Sequence, residues 1–472
     1  MRLITTLLSL TLALAALLAP AIWNGFPITF HDTGGYFARL YEDAPGDGRA
    51  TPYGVFIEGL HLGLQFWPAI VVQGLIVIVL IRELGRSTLA LEGPRLAFFT
   101  GATTVLLALA TGISWYSAQL LPDILAPCAV LAAFLLIDGR HERGLWGQAG
   151  LVAMVALGAA THTGTVALLL GLLLASVLAV LAARLFKGGA AWRLGAGRRL
   201  GLIGAGLVIG ALSVPVSNYA LYGQFRFTPG GDVFLFGRLV QDGIASRYLK
   251  DHCPDPTIKL CDHQAELYEE DGTLRSNDSF LWWQGSPLYK IGGWESAGPE
   301  LSRITWESVR DYPLMHLQAA WTSFTQQLGE ISSGDGLNDE HWHTRWMFDQ
   351  YHPEDLDAFA HARQRGGKIP FAEFDQIHIP VGFASMALLP LIAVFFWYRG
   401  EGRTARLAAF VLVALIGNAA ICGILSNPHD RYQSRLMWLA TLTCAVAATR
   451  LAMARRITLD HQQANSYWPV GR

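Results

Sequence analysis

Charged side chains are scarce in this chain. Only 15% of its 472 residues are Asp, Glu, Lys or Arg, whereas 52% are hydrophobic. A soluble globular chain carries about 25% charged residues, so this composition excludes an ordinary soluble protein. Apolar runs of about twenty residues recur along the sequence, and each is long enough to cross roughly 30 Å of hydrocarbon. The sequence therefore predicts a mainly α-helical, polytopic membrane protein.

The sequence also lacks an excess of positive charge. Its 35 Lys and Arg residues are matched by 37 Asp and Glu residues, and the formal net charge is −2. A domain that binds nucleic acid usually carries a basic surplus, so we expect no nucleic-acid partner. The composition predicts the lipid bilayer as the surrounding partner, and nothing in the sequence predicts a cofactor or a bound metal ion.

Cysteine is rare, with five residues in the chain. Three of them fall in apolar runs and are predicted to be small packing residues: Cys128, Cys422 and Cys444. Cys253 and Cys261 lie in a long polar segment, and a disulfide is the favoured interpretation if that segment is extracytoplasmic. Closing so short a loop stabilises a fold by roughly 2–3 kcal/mol. The alternative is a zinc site with the neighbouring His252, Asp262 and His263, although this spacing matches no familiar finger or ribbon.

The apolar runs predict ten membrane spans, seven before the long polar segment and three after it. Their ranges are 3–23, 65–82, 95–113, 119–137, two within 146–183, 200–220, 377–397, 405–425 and 435–451. The run 146–183 is too long for one crossing, and Thr161-His162-Thr163-Gly164 predicts a tight turn in its middle. The first run could alternatively be a cleaved signal peptide, but a retained helix agrees better with a polar loop that begins directly at Asn24.

Basic residues gather at alternate ends of these runs. One set of ends holds Arg82, Arg86, Arg95, Arg140, Arg143, Arg184, Lys187, Arg193, Arg198, Arg199, Arg399, Arg403, Arg406, Arg450, Arg455 and Arg456. The short loops 114–118 and 161–164 at the opposite ends hold none. The positive-inside rule then predicts a multi-pass inner (plasma) membrane protein with both termini in the cytoplasm. The segments predicted to be extracytoplasmic are 24–64, 221–376 and 426–434.

The chain is thus predicted to have three parts. Residues 1–220 hold seven spans and the loop 24–64, residues 221–376 form an extracytoplasmic (periplasmic) domain, and residues 377–472 hold three spans and a cytoplasmic tail. About 155 residues are enough for a domain with its own core, and the helical periodicity of 296–330 predicts an α-rich one. The looser stretch after it contains Asp339-Glu340-His341-Trp342-His343, which we interpret as a solvated loop rather than a metal site.

Four groups of polar residues fall at the predicted extracytoplasmic ends of the spans. They are His31, Asp32 and Tyr36; Arg49 and Tyr53; Asp123 and His162; and Arg431, Tyr432 and Arg435. A carboxylate near cations at the edge of an apolar region is typical of general bases and phosphate sites. Plainer explanations exist, because Asp32 could open a turn at Asp-Thr-Gly-Gly, and Arg431 and Arg435 could be interfacial anchors.

The order of these elements resembles a known family. The first span is followed by a loop with Asp32 and Tyr36, then by Arg49-Ala-Thr-Pro-Tyr53, and Asp430-Arg431-Tyr432 precedes the last span. This layout is similar to the GT-C superfamily of polytopic glycosyltransferases, in the branch of the protein mannosyltransferases and aminoarabinose transferases. Two features depart from that branch. His31-Asp32-Thr33 stands where members often have Asp-Glu, and the long polar segment precedes the last three spans instead of following them.

The resemblance implies a GT-C-like fold and a function. Such enzymes transfer a sugar from a polyprenyl-phosphate donor to an acceptor at the outer face of the membrane, here an envelope glycan, lipid or protein. The resemblance implies that Asp32 is the general base, which takes the acceptor proton while the sugar configuration is inverted. The cations expected to stabilise the leaving phosphate are Arg49, Arg431 and Arg435. Tyr53 and His162 are expected to lie near them.

Two other functions stay open on the sequence alone. The chain could be a non-enzymatic membrane assembly or scaffold protein of the same ancestry, or it could be a transporter or flippase. Charged residues are almost absent from the middle of the predicted spans, and this argues against ion-coupled transport.

Overall fold

The computed structural model describes residues 2–46, 48–138, 144–187 and 196–466. Within these ranges the regular structure is helical, and only two isolated β-bridges occur. The helices of the first half are α1 (Arg2–Asn24), α2 (Thr33–Phe37), α3 (Thr51–Glu58), α4 (Trp67–Leu89), α5 (Gly93–Ala110), α6 (Ile113–Ala118), α7 (Leu125–Asp138), α8 (Leu145–Thr161), α9 (Thr163–Lys187) and α10 (Ala196–Tyr222). Short 3-10 helices cover Ala38–Leu40 and Pro122–Ile124.

The second half continues with short helices before three long ones. They are α11 (Gly231–Gln241), α12 (Ile244–His252), α13 (Asn277–Trp282), α14 (Pro287–Lys290), α15 (Gly293–Ser296), α16 (Gly298–Asp311), α17 (Pro313–Gly329), α18 (Trp342–Tyr351), α19 (Pro353–His361), α20 (Phe371–Tyr398), α21 (Gly402–Leu425) and α22 (Asp430–Ser466). Further 3-10 helices cover Lys259–Leu267 and Arg363–Gly366.

Eight helices in the described part of the chain are long and apolar enough to cross a membrane. The segments are Thr6–Asn24, Trp67–Leu89, Gly93–Ala110, Thr163–Ala183, Ala196–Tyr222, Phe371–Tyr398, Gly402–Leu425 and Asp430–Arg455. Each coincides with one of the predicted spans, so the chain is a multi-pass helical membrane protein. Three of the basic residues that predicted its orientation, Arg140, Arg143 and Arg193, lie outside the described residues.

Shorter helices occupy the two remaining predicted spans. α7 has 14 residues and α8 has 17, fewer than the ~20 that cross the hydrocarbon of a bilayer. α7 starts late because the chain before Pro122 is extended and pairs with the first loop, where Leu120 N–H donates to the Ile28 carbonyl at 2.9 Å. α7 is nevertheless central, since nearly all of its side chains are buried. The predicted break at His162 is present, because α8 ends at Thr161 and α9 begins at Thr163.

The polar segment contains two differently built parts. The helices α11–α16 surround a core of their own, which includes Phe236 and Phe280, and we call them the outer unit. Residues 331–369 pack into the core of the membrane helices through Phe348 and Phe359, and we call them the bridging segment. α17 connects the two parts and lies against α21. The α-rich unit with its own core is therefore smaller than the predicted range 221–376.

The cysteines divide as the sequence predicts. Cys253 and Cys261 form a disulfide in the outer unit, which occupies the two thiols that the zinc alternative required. The other three are free, with Cys128 and Cys422 buried and Cys444 half-buried. Burial in an apolar core agrees with a packing role for these thiols.

Candidate functional site

A polar cavity of ≈ 680 Å³ lies where several membrane helices end on the same side of the protein. Two other cavities, between the membrane helices, are lined mainly by apolar side chains. The lining of the polar cavity includes Phe30, His31, Asp32, Tyr36, Arg49, Asp123, His162, Phe234, Asp278, Trp282, Asp335, Asp339, His343, Asn427, His429, Arg431 and Tyr432. The first loop, the outer unit, the bridging segment and the loop before α22 thus all contribute to one site.

The loop after α1 turns sharply and brings Asp32 to this cavity. Gly25 has a φ of +82°, a conformation that glycine adopts without strain. The Thr33 hydroxyl donates to a backbone carbonyl in the stretch before α7 at 3.2 Å. On the other side, Gly34 N–H donates to the hydroxyl of Thr344 in α18 at 3.1 Å. Asp32, at the start of α2, is therefore positioned by contacts from two distant parts of the chain.

Two arginines pair with the Asp32 carboxylate, one at each oxygen. Arg49 Nη2 lies 2.5 Å from Oδ1, and Arg431 Nη1 lies 3.6 Å from Oδ2. Burial by itself would raise the pKa of Asp32, but the guanidinium groups of Arg49 and Arg431 outweigh burial and lower this pKa to about 2. Because the Asp32 side chain remains 25% exposed, it is an ionised carboxylate that a ligand in the cavity can reach.

A second ion pair lies deeper in the protein. Arg435, one helical turn after Arg431, places Nη1 at 2.8 Å from Asp123 Oδ1, and these two side chains are 1% and 5% exposed. Asp123 is part of the cavity lining, whereas Arg435 is behind it. The buried pair fixes the start of α22 against the 3-10 helix before α7, and so it positions Arg431.

Tyr36 and Tyr53 form a layered wall beside Asp32. Their rings meet edge to face with centroids 5.0 Å apart, and Tyr53 is fully buried. The Tyr53 hydroxyl donates to Gln73 Oε1 at 2.9 Å, while the Gln73 amide donates to the backbone carbonyl of Gln119 at 2.8 Å. Tyr53 therefore supports Tyr36 from behind and does not line the cavity.

His162 lines the cavity at the break between α8 and α9. Burial lowers the pKa of His162 to about 3, and Arg435 contributes to the same shift, so its imidazole is neutral. Its Nδ1 is buried without a hydrogen-bond partner among the described residues. A neutral ring nitrogen of this kind can serve a ligand hydroxyl as donor or acceptor.

Eight of the ten predicted site residues line this one cavity, and the other two support it. The lining residues are His31, Asp32, Tyr36, Arg49, Asp123, His162, Arg431 and Tyr432. Tyr53 and Arg435 form the buried layer behind them. The sequence grouped these residues because their loops are predicted to lie on one side of the membrane. The structure brings them together in one cavity.

The outer unit contributes an aromatic wall that the sequence argument missed. Trp282 stacks on Trp294 with centroids 5.1 Å apart, and Phe234 contacts both rings. The Arg49 guanidinium lies 5.5 Å from the centre of a Trp282 ring, within the range of a cation–π contact. Seven tryptophans in this polar segment were visible in the sequence, but their relation to Arg49 depends on how the outer unit docks.

His429 is the second feature that the sequence argument missed, although it lies within the motif Asn-Pro-His-Asp-Arg. Its ring nitrogens are 3.5 Å from an Asp278 oxygen and 3.6 Å from an Asp335 oxygen. Burial by itself would lower the pKa of His429, but the carboxylates of Asp278 and Asp335 outweigh it and raise this pKa. The raised pKa extends the pH range over which His429 carries a positive charge on the side of the cavity that holds Arg431.

The stretch 339–343, interpreted as a solvated loop, is largely exposed as predicted, but its last two residues begin α18 and part of it contributes to the site. Asp339 and His343 line the cavity, and His341 is buried with Nε2 at 3.0 Å from the Gly336 carbonyl oxygen. Burial, with Arg49 nearby, lowers the pKa of His343. The sequence could not show that a helix begins here, because a His-rich first turn has the same composition as a polar loop. Only the packing of α18 distinguishes the two.

Comparison with known proteins assigns no family to the chain, since no family model, curated protein or solved structure matches it. The functional interpretation therefore depends on the chemistry of the cavity. Its arginines suit an anionic group, its carboxylates and neutral imidazoles suit hydroxyl groups, and its aromatic wall suits an apolar face of a ligand.

Proposed function

We propose that the chain is a GT-C-type inverting glycosyltransferase of the inner membrane, which moves a sugar from a polyprenyl-phosphate donor to an envelope acceptor at the extracytoplasmic face. The observation that carries this proposal is the position of Asp32 between Arg49 and Arg431, in a polar cavity at the ends of membrane helices. One carboxylate and two guanidinium groups are the base and the phosphate ligands that such a transfer needs.

The donor phosphate is expected to bind between Arg49 and Arg431. Guanidinium groups bind phosphate through paired N–H donors. Arg431 belongs to the first turn of α22, so a polyprenyl chain can remain in the bilayer while its phosphate enters the cavity. Each arginine then exchanges an Asp32 oxygen for a phosphate oxygen. The pKa of Asp32 rises on donor binding, because the charges that lower it are now shared with the phosphate.

Asp32 then accepts the proton of the acceptor hydroxyl. The hydroxyl oxygen bonds to the anomeric carbon on the face opposite the phosphate, and the bond from that carbon to the phosphate oxygen breaks. The electron pair of the broken bond stays on the lipid phosphate, where Arg49 and Arg431 stabilise it. Trp282 offers an apolar surface for the sugar ring, and the nearby carboxylates accept hydrogen bonds from its hydroxyls.

We also infer ten spans with both termini cytoplasmic. α7 and α8 complete this number, because α7 lies within the helix bundle, α8 packs against α7 and α10, and the extended residues before Pro122 lengthen the path of α7 across the membrane. Arg403 and Arg406 contact Asp138 at the end of α7 that faces away from the cavity. Basic residues at this end agree with the positive-inside rule.

The second candidate function is a non-enzymatic assembly protein. The observation that favours it is the double ion pair itself, since a carboxylate with a pKa of about 2 is a weak base. In an enzyme, the donor phosphate must draw Arg49 and Arg431 away from Asp32 before this carboxylate can act as a base. In a structural ion network, the arginines stay on Asp32. The two functions therefore differ in what happens to Asp32 when a phosphate enters.

The deciding experiment measures sugar transfer in proteoliposomes from a panel of polyprenyl-phosphate sugars. Wild type is compared with Asp32→Asn and with Asp357→Asn, a matched change at a side chain that is 89% exposed on α19. We expect Asp32→Asn to lower turnover about 10²–10⁴-fold, the usual contribution of a general base, while donor binding persists. Asp357→Asn should behave as wild type.

Two results would change the conclusion. Full turnover by Asp32→Asn would exclude the general-base role. Donor binding by the wild type without transfer from any member of the panel would favour the assembly function.

A further inference from the structure

A second cluster of ionisable side chains lies outside the polar cavity. His61 belongs to the connection between α3 and α4, and His352, Glu354 and Asp355 lie at the junction of α18 and α19. One ligand atom from each of the four residues lies within 4.8 Å of all the others. The side chains of His61, His352 and Asp355 are only 12%, 5% and 4% exposed, and none of the four lines the cavity.

The two ring nitrogens of His352 face different carboxylates. Its Nε2 lies 2.8 Å from Glu58 Oε1, and the other Glu58 oxygen accepts from the Tyr41 hydroxyl at 3.0 Å. Nδ1 faces Glu354 Oε1 at 3.4 Å. A carboxylate on the remote ring nitrogen is the arrangement that orients metal-binding histidines, because it leaves the lone pair on the other nitrogen.

The charge of the cluster also calls for a cation. Glu58, Glu354 and Asp355 contribute three carboxylates, and among the described residues no arginine or lysine forms an ion pair with any of them. Acidic residues in the first turn of α19 are common helix chemistry. That chemistry does not explain two imidazoles beside them, with the rings of His61 and His352 4.6 Å apart.

We propose that His61, His352, Glu354 and Asp355 bind one divalent transition-metal ion, for which Zn²⁺ is the best chemical match. Imidazole nitrogens and carboxylate oxygens are ligands that Zn²⁺ binds, and two of each supply the four ligands of a tetrahedral site. Tetrahedral bonds of about 2.0–2.1 Å place ligand atoms about 3.3 Å apart, so the cluster closes by movements of about 1 Å, mostly of the exposed Glu354 side chain. His61 Nε2 and Asp355 Oδ2 now lie 2.6 Å apart in a hydrogen bond, which the metal ion would replace, and His61 Nδ1 would lose its long contact with the Gly63 N–H at 3.3 Å.

This site joins two elements that build the polar cavity, and it does not depend on the proposed transfer reaction. His61 follows α3, and His352 follows α18, which carries Thr344 and the cavity residue His343. A metal ion would therefore hold the bridging segment against the first loop. Its role is structural, because all four positions are taken by protein ligands and no open position remains for a substrate.

The test uses full-length, tag-free protein in detergent, because an affinity tag with histidines binds zinc itself. Metal content is measured by mass spectrometry after dialysis against chelator and readdition of Zn²⁺, together with the melting temperature. We expect one Zn²⁺ per chain and a melting temperature that rises on readdition. His61→Gln and Asp355→Asn should lose the bound zinc, and Glu58→Gln should bind it ~10–100-fold more weakly. The control is His361→Gln, a change at a side chain that is 79% exposed and lies on α19, the helix that carries Asp355.

A measurement on the wild type alone covers the case in which a variant fails to fold. Co²⁺ in place of Zn²⁺ should give visible absorption bands of a four-coordinate site, and added Zn²⁺ should remove them. Wild type that binds no stoichiometric zinc and shows none of these bands would overturn the proposal. His352 and Glu354 would then share a proton instead of a metal ion. Equal zinc binding by wild type, His61→Gln and Asp355→Asn would overturn it as well.

Discussion

At the level of the single residue, the proposed transfer reaction makes two conflicting demands on Asp32. Its ion pairs with Arg49 and Arg431 lower its pKa to about 2, whereas a base is most effective with a pKa near the working pH. The low pKa also stabilises the fold. This contribution is complete above the unfolded pKa of about 3.9 and is lost as the pH falls towards 2. Both requirements are met if the arginines leave Asp32 when phosphate arrives.

We therefore predict that kcat/KM and kcat differ in their acid dependence. kcat/KM reports the free enzyme and kcat reports the donor-bound complex. In the free protein Asp32 stays ionised from about pH 4.5 to 8, so it gives kcat/KM no acidic limb, whereas kcat falls on acidification as the released carboxylate is protonated. The measurement is a pair of pH–rate profiles with limiting and saturating donor. A kcat profile without an acidic limb would contradict the exchange of partners.

At the level of elements, the contact between α2 and α18 positions the site. A Cβ atom added at Gly34 would lie 2.8 Å from Thr344 Cα and 2.8 Å from Met347 Cβ. These are backbone and core atoms of a neighbouring helix, so they cannot move aside without shifting α18. The two helices can approach this closely only because Gly34 has no side chain.

We predict that Gly34→Ala destabilises the protein and impairs transfer together. Overpacking of this kind costs about 1–3 kcal/mol, and a displaced α2 carries Asp32 away from Arg431. The matched control is Gly171→Ala in α9, where an added Cβ meets no atom within 4 Å. Thermal unfolding and transfer are measured for both variants. Equal behaviour of the two would show that the α2–α18 contact does not constrain the site.

Elements defined by local pattern could be predicted from the sequence, whereas elements defined by distant contacts could not. The eight long helices follow from apolar runs, which are a local property. The short start of α7 depends on Leu120 pairing with Ile28, and no periodicity records that contact. The packing of the bridging segment could not be predicted because its anchors are single aromatic residues: Phe348 and Phe359 pack on Phe26 from the first loop.

The same division applies to the candidate site. Asp32, Arg49 and Arg431 could be grouped because the positive-inside rule puts their loops on one side of the membrane. Trp282 and His429 could not be assigned, since their place in the cavity depends on the docking of the outer unit, and no sequence signal describes that docking.

For the whole molecule, the decisive interface joins the outer unit to the membrane helices. Arg238 of α11 is buried and donates to Asn427 Oδ1 at 3.0 Å and to the Ser323 hydroxyl at 2.6 Å. His429 lies in the same loop as Asn427 and faces Asp278 of α13. The outer unit is thus held over the cavity by polar contacts, and one of its partners is His429, whose pKa is raised by neighbouring carboxylates.

We predict that docking of the outer unit weakens as the pH rises. The raised pKa of His429 means that its stabilisation is complete below the unfolded value of about 6.5 and is lost as the pH rises through the folded value. The melting temperature of the wild type should therefore fall between about pH 6 and pH 9 by more than that of His429→Gln, and the two should converge at the alkaline end. His361→Gln, at an exposed histidine on α19, should keep the slope of the wild type. If His429→Gln keeps that slope too, the interface is held by Arg238 without help from the charge on His429, and docking of the outer unit would not depend on pH in this range.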